Sequence, residues 1–151
     1  MSKLIIVESP YAGRGADQAE CAYDIALNAR YAQRALFDAL AHGYAPFASH
    51  LLYTQVLDDT VATEREWGIN AGLALAERAD ETWVYVDRGI SQGMTYGIKH
   101  AQECGRVIQY RTFKSASPEH RSLSVPCEKP DNPHREEVLA ILDTIKFREE
   151  E

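Results

Sequence analysis

The stretch Thr82-Trp-Val-Tyr-Val-Asp87 constrains the fold most. It reads as a buried strand, and it leads through the polar turn Arg88-Gly-Ile into Ser91-Gln-Gly93-Met94, where a helix opens. Strand ends of this kind are where α/β proteins keep phosphates and sugars. The first strand, Leu4-Ile-Ile-Val7, ends the same way in Glu8-Ser9-Pro10-Tyr11-Ala12-Gly13. Two strand ends thus deliver polar groups and small residues that could face one crevice.

Strand and helix signals alternate through the first three quarters of the chain, the pattern of a parallel sheet covered by helices on both faces, with the first strand near its centre. Asp17-Gln-Ala-Glu20 reads as a capping box. Behind it Ala22, Ile25, Ala26, Ala29, Ala32, Leu36 and Leu40 recur at helical spacing until His42-Gly43 closes the helix. Residues 45–48 give a short second strand, and 49–59 a loop rich in polar and aromatic groups. Thr63-Glu-Arg-Glu66 reads as a second capping box. The helix it starts has Trp67, Ala71, Ala74, Leu75 and Ala79 as its apolar face, while Gly68 and Gly72 allow close packing. The third strand spans 82–86, its helix runs to Cys104-Gly105, and the fourth strand spans 107–110. Residues 1–114 form the core of the domain. Residues 115–131 read as irregular, and Asn132-Pro133 opens a last helix with Val138, Leu139, Leu142, Ile145 and Phe147 on its buried side.

A chain of 151 residues, 45% hydrophobic and 26% charged, fits one soluble domain with a proper core. Its net charge of -7 and pI near 5.2 oppose a nucleic-acid polymer as partner but not a single nucleotide. The N-terminus lacks the apolar region and cleavage site of a signal peptide, and no later stretch is long enough to span a bilayer, so the expectation is a cytoplasmic protein with no membrane partner. Cys21, Cys104 and Cys127 show no paired spacing, which leaves out a disulfide framework and a zinc site; helical Cys21 and Cys104 read as core thiols. No metal-ligand spacing is present, and no metal or cofactor is expected.

Each candidate residue has a plain alternative. Ser91 sits where an N-cap belongs and Gly93 clears the first free amides of the helix, which suits a phosphate or simply a capped helix. Glu8, Ser9 and Tyr11 combine a carboxylate, a hydroxyl and an aromatic face fit for a ribose and base, or form a turn with Tyr11 covering the core edge. His50, Tyr53, Asp58 and Asp59 suit acid–base work if they converge, and are a solvated loop if they do not. Glu64 complements its helix dipole with or without function, and Arg65 lies beside it. Asp87 ends the third strand. Arg88 and Arg111 follow strands three and four and suit either a phosphate or surface ion pairs.

Together, Glu8-Ser-Pro-Tyr-Ala-Gly13, Ala45-Pro-Phe-Ala-Ser-His50, Asp58-Asp59 with Glu64-Arg65, and Ser91-Gln-Gly-Met94 resemble the nucleoside 2-deoxyribosyltransferase-like superfamily, and within it a small branch common in bacteriophage genomes. The resemblance implies a Rossmann-like or flavodoxin-like fold, a homodimer or larger homo-oligomer, and a pocket at the carboxyl ends of the strands. It also implies an N-glycosidic bond attacked by a glutamate four residues after the glycine of the Ser-x-Gly turn. Here that position is Gly97. The expectation is therefore a protein that binds a nucleotide or nucleoside derivative without the usual chemistry, in a phage one that sequesters a nucleotide signal. Its alternative is an active N-glycosidase or deoxyribosyltransferase using Glu8, Asp58, Asp59 or Glu64, with Asp87 a weaker candidate. A protein–protein interaction module is the third reading. The expected ligand contacts are Ser9, Tyr11, His50, Tyr53, Arg65, Asp87, Arg88, Ser91, Gly93 and Met94.

Overall fold

The computed structural model describes residues 2–113. The irregular segment and last helix expected beyond 114, and Cys127, lie outside the described residues. Strands β1 (Leu4–Glu8), β2 (Ala45–Phe47), β3 (Glu81–Tyr85) and β4 (Val107–Arg111) form an all-parallel sheet of order β2-β1-β3-β4. Helix α1 (Gln18–Ala41) joins β1 to β2, the short α2 (Ser49–Leu52) and α3 (Ala62–Ala76) lead to β3, and α4 (Gln92–Glu103) leads to β4. The described residues form an α/β fold of the Rossmann-like or flavodoxin-like kind, with β1 inside the sheet. No helix among the described residues is long and apolar enough to cross a membrane.

The period of two along each strand divides the sheet into two faces. Ile5 and Val7 of β1, with Trp83 and Tyr85 of β3, pack on Ala35 and Ala39 of α1. Each large side chain buried there contributes about 1.5–3 kcal/mol. The hydroxyl of Tyr85 donates to Asp38 Oδ2 at 2.7 Å, and Arg111 donates to the same oxygen at 3.0 Å while lying over the Trp83 ring at 3.8 Å. At the amino end of the sheet, buried Glu81 accepts from Lys3 Nζ, Trp83 Nε1 and Gln109 Nε2 at 2.8, 3.0 and 2.8 Å. These donors, Lys3 foremost, hold its carboxyl below the usual range. The opposite face, which includes Ile6, Glu8 and Thr82, lies under α3 and α4.

Four local expectations need correction. The loop expected at 49–59 contains α2 and a 3-10 turn (Tyr53–Gln55), closed by Leu51 N–H to Ala48 O at 3.1 Å and Thr54 Oγ1 to His50 O at 2.7 Å. Thr63 does not cap α3, which starts from Val61 without a side-chain cap; Glu64 instead accepts from the Asp58 amide at 2.6 Å. The buried face of α3 is Gly72 and Ala76, while Trp67 is 63% exposed, because α3 approaches α2 so closely that a Cβ on Gly72 would stand 2.9 Å from the Ser49 side chain. The two cysteines are not core thiols. Cys104 is exposed just beyond α4, and partly exposed Cys21 precedes the buried stripe of α1, which begins at Asn28.

Candidate functional site

In an open parallel sheet, ligands bind outside the carboxyl ends of strands at the point where the chain order reverses. Here that point lies between β1 and β3. A cavity of about 240 Å³ opens there, just below the usual size of small-molecule sites, about 300–1,000 Å³. β1 and its loop contribute Glu8, Ser9 and Tyr11; the α2 region contributes His50 and Tyr53. Asp59, Glu64 and Arg65 come from the start of α3, and Ser91, Gly93, Met94 and Gly97 from α4. Eleven of the residues expected at a site thus meet in one cavity.

Asp58, Asp87 and Arg88 do not line it. Exposed Asp58 accepts from the amide and hydroxyl of Thr60, which keep its carboxyl below the usual range. Asp87 accepts from Tyr31 Oη at 2.8 Å and from the Phe113 amide at 2.9 Å. Arg88 donates to Asn28 Oδ1 at 2.7 Å and pairs with Asp24 at 2.6 Å, so it fastens the end of β3 to α1. Asn28 escaped sequence reading although it interrupts the alanine stripe of α1. Its amide donates to the carbonyls of Tyr11 and Ala12 at 3.1 and 3.2 Å, fixing the loop that carries Tyr11.

Three features define the chemistry. The first is Glu8. A Cβ built on buried Gly97 would stand 2.0 Å from Glu8 Oε1, so the β1 carboxylate fills the space where a side chain at 97 would begin. Glu8 is half-buried by surface area because its carboxylate faces the cavity, yet protein surrounds it on its other sides. Burial pushes its pKa up to about 8, opposed only by the charge of Arg106. Arg106 itself donates to Thr82 Oγ1 at 3.1 Å, beneath Glu8 on the same face of the sheet, and nothing in its sequence context marks this role.

The second feature is a pair of neutral groups. Ser9 Oγ and His50 Nε2 are 2.8 Å apart, and burial lowers the His50 pKa to about 4, so the imidazole is uncharged near neutrality. The Tyr11 ring lies edge-on to His50 with centroids 6.3 Å apart. The third feature is the start of α4. Ser91 Oγ accepts from the Met94 amide and Met94 Sδ from the Ser91 amide, each at 3.3 Å. A Cβ on Gly93 would have only Ser91 Oγ at 3.8 Å and Arg65 Nη2 at 4.0 Å near it, so glycine leaves open room there. Arg65 reaches this place from α3 while its Nη1 pairs with Asp59 at 2.7 Å. Among the described residues no three His, Cys, Asp or Glu side chains cluster as metal ligands.

Fold and cavity together define a parallel α/β protein with a cavity at the switch point of its sheet. Residues 3–111 match the family described as a domain of unknown function, DUF7768, and the chain belongs to that family. No curated protein matches it.

Proposed function

We propose that the cavity binds a nucleoside or nucleotide derivative, with its phosphate toward Arg65 and the start of α4 and its sugar carbon C1′ toward Glu8. One observation carries this reading: the Glu8 carboxylate lies where the side chain of residue 97 would begin, the position at which the deoxyribosyltransferase-like proteins that the chain resembles hold their glutamate. The same observation favours Glu8, among the alternative carboxylates, as the group set against the N-glycosidic bond. Asp59 is engaged by Arg65 and Glu64 by the Asp58 amide.

Mononucleotides at millimolar concentration should raise the melting temperature by mass action, about 2.7 kcal/mol of stabilisation at a hundredfold excess over Kd. Nucleosides should do less. Gly93→Trp fills the open room beside Arg65 and should abolish the rise while the protein stays folded. No shift with any nucleotide would refute the nucleotide reading and favour an interaction module.

The resemblance also leads us to propose a homo-oligomer. Outward-facing Tyr23, Phe37 and Leu40 of α1 are 68, 45 and 58% exposed, an apolar surface available to a second copy. Light scattering at micromolar concentration should give at least a dimer; a monomeric mass would contradict it.

A further inference from the structure

Building on the nucleotide reading of this cavity, we infer that the ligand carries a positive charge at its glycosidic nitrogen: it is an N-riboside of a pyridinium-type base, seated with C1′ against Glu8. The two partly or wholly buried glutamates at opposite ends of the sheet show why. Glu81 has three donors from its own chain. The Glu8 carboxyl has no hydrogen bond or ion pair among the described residues, and only the charge of Arg106 offsets its desolvation. A carboxyl group left unsatisfied at the wall of a cavity is completed by a ligand that brings an acceptor to its protonated form, or a cation or donor that draws it into its ionised form.

The neighbouring groups favour the cation. A neutral purine or pyrimidine needs a proton as it leaves, whereas a pyridinium leaves as a neutral base without one. The groups facing Glu8 across the cavity are poor sources of that proton. His50 of α2 is uncharged near neutrality, Asp59 is paired with Arg65, and Glu64 is taken by the Asp58 amide. Arg106 lies beneath, and α4 presents Gly97 and the phenol of Tyr96. Four aromatic residues, Tyr11, Phe47, Tyr53 and Tyr96, also line the cavity, a composition that suits a planar cation.

The bond changes balance without any further reagent. Glu8 gives up its proton to solvent as the cation binds; its carboxylate then forms a bond to C1′ as the C1′–N bond breaks, and the nitrogen keeps the electron pair and leaves neutral. Water then displaces Glu8 from C1′, restoring the carboxylate and releasing one proton to solvent.

The test uses two ligands of nearly the same shape, nicotinamide mononucleotide and its reduced, uncharged dihydropyridine form, with AMP as a third. At pH 8 the full-length chain should bind the oxidised form at least about tenfold more tightly than the reduced form, a difference of ~1.4 kcal/mol. Binding of the oxidised form in weak buffer at pH 7 should release a proton, because a cation beside Glu8 favours its ionised state. Glu8→Gln should remove both the preference and the proton release. Equal binding of the two forms, or a preference that survives Glu8→Gln, overturns the inference; if AMP still binds, the nucleotide reading stands. If none of the three binds, that reading falls with it.

Discussion

Gly97→Ala is expected to destabilise the protein, and to stabilise it in a chain that also carries Glu8→Ala. Replacing a glycine inside a helix by alanine ordinarily gains about 1 kcal/mol. At this position the new methyl would stand 2.0 Å from Glu8 Oε1, and overpacking of this kind costs roughly 1–3 kcal/mol. The net effect in the wild-type background is a loss of about 1 kcal/mol, because the displaced carboxylate must swing away from α4 into the cavity. Removing the Glu8 side chain removes the collision and leaves the helical gain. Urea denaturation of the four proteins should give a coupling of about 2 kcal/mol. Additive effects would mean that Glu8 does not rest against α4, and the placement of its carboxylate in the cavity would go with it.

Stability should fall between pH 6.5 and 8 in the wild-type protein and much less in Glu8→Gln. The folded protein keeps the Glu8 proton up to about pH 8, whereas the unfolded chain releases it near 4.5, so stability falls as pH rises through that window. His50 acts in the opposite sense. Its unfolded form is protonated below 6.5 and its folded form only below about 4, so stability rises with pH between those values. The two contributions oppose each other up to 6.5, and Glu8 acts alone above it. Full expression of one proton's difference amounts to about 1.4 kcal/mol per pH unit, or roughly 2 kcal/mol across the window. Parallel curves for the two proteins between pH 6.5 and 8 would show that Glu8 does not hold its proton in the fold.

The fold was legible because strands and helices alternate with little ambiguity. The runs at Leu4 and Trp83 are apolar on both faces, as strands covered by helices must be. The interior position of β1 was expected from that pattern together with the resemblance, and the strand ends pointed to the place of the cavity. Burial along α3 was not legible. Trp67 and Leu75 outrank Gly72 and Ala76 on any hydrophobic scale, but the close approach of α2 at Ser49 reserves the inner face for the smallest residues. The short helices at 49–55 were also hidden, since they are too brief to show a period and owe their existence to tertiary contacts. At the site, residue types brought Glu8 with Ser9, His50 and Ser91 forward as separate candidates, and only the resemblance joined them. They did not separate Asp59 from Asp58, which stand next to each other in sequence while only one faces the cavity. Nor did spacing alone bring the Glu8 carboxylate to Gly97, nearly the length of the domain away along the chain.

The pairing of β1 with β3 also governs when the cavity comes into being. β1 meets β2 after a single helix, but its other neighbour arrives much later: the ion pair of Lys3 with Glu81 joins residues 78 positions apart. Closing so long a loop costs entropy before its contacts repay any of it, and such non-local pairing is slow. Glu8, Ser9 and His50 lie on one side of that closure, Ser91 and Gly97 on the other. A chain emerging from the ribosome with β1, α1 and β2 already formed would carry the first group and have no cavity. A small molecule therefore has nothing to grip until the sheet is whole. A ligand bound as proposed would act only once both groups have met, and would lengthen the lifetime of the native protein rather than hasten its formation.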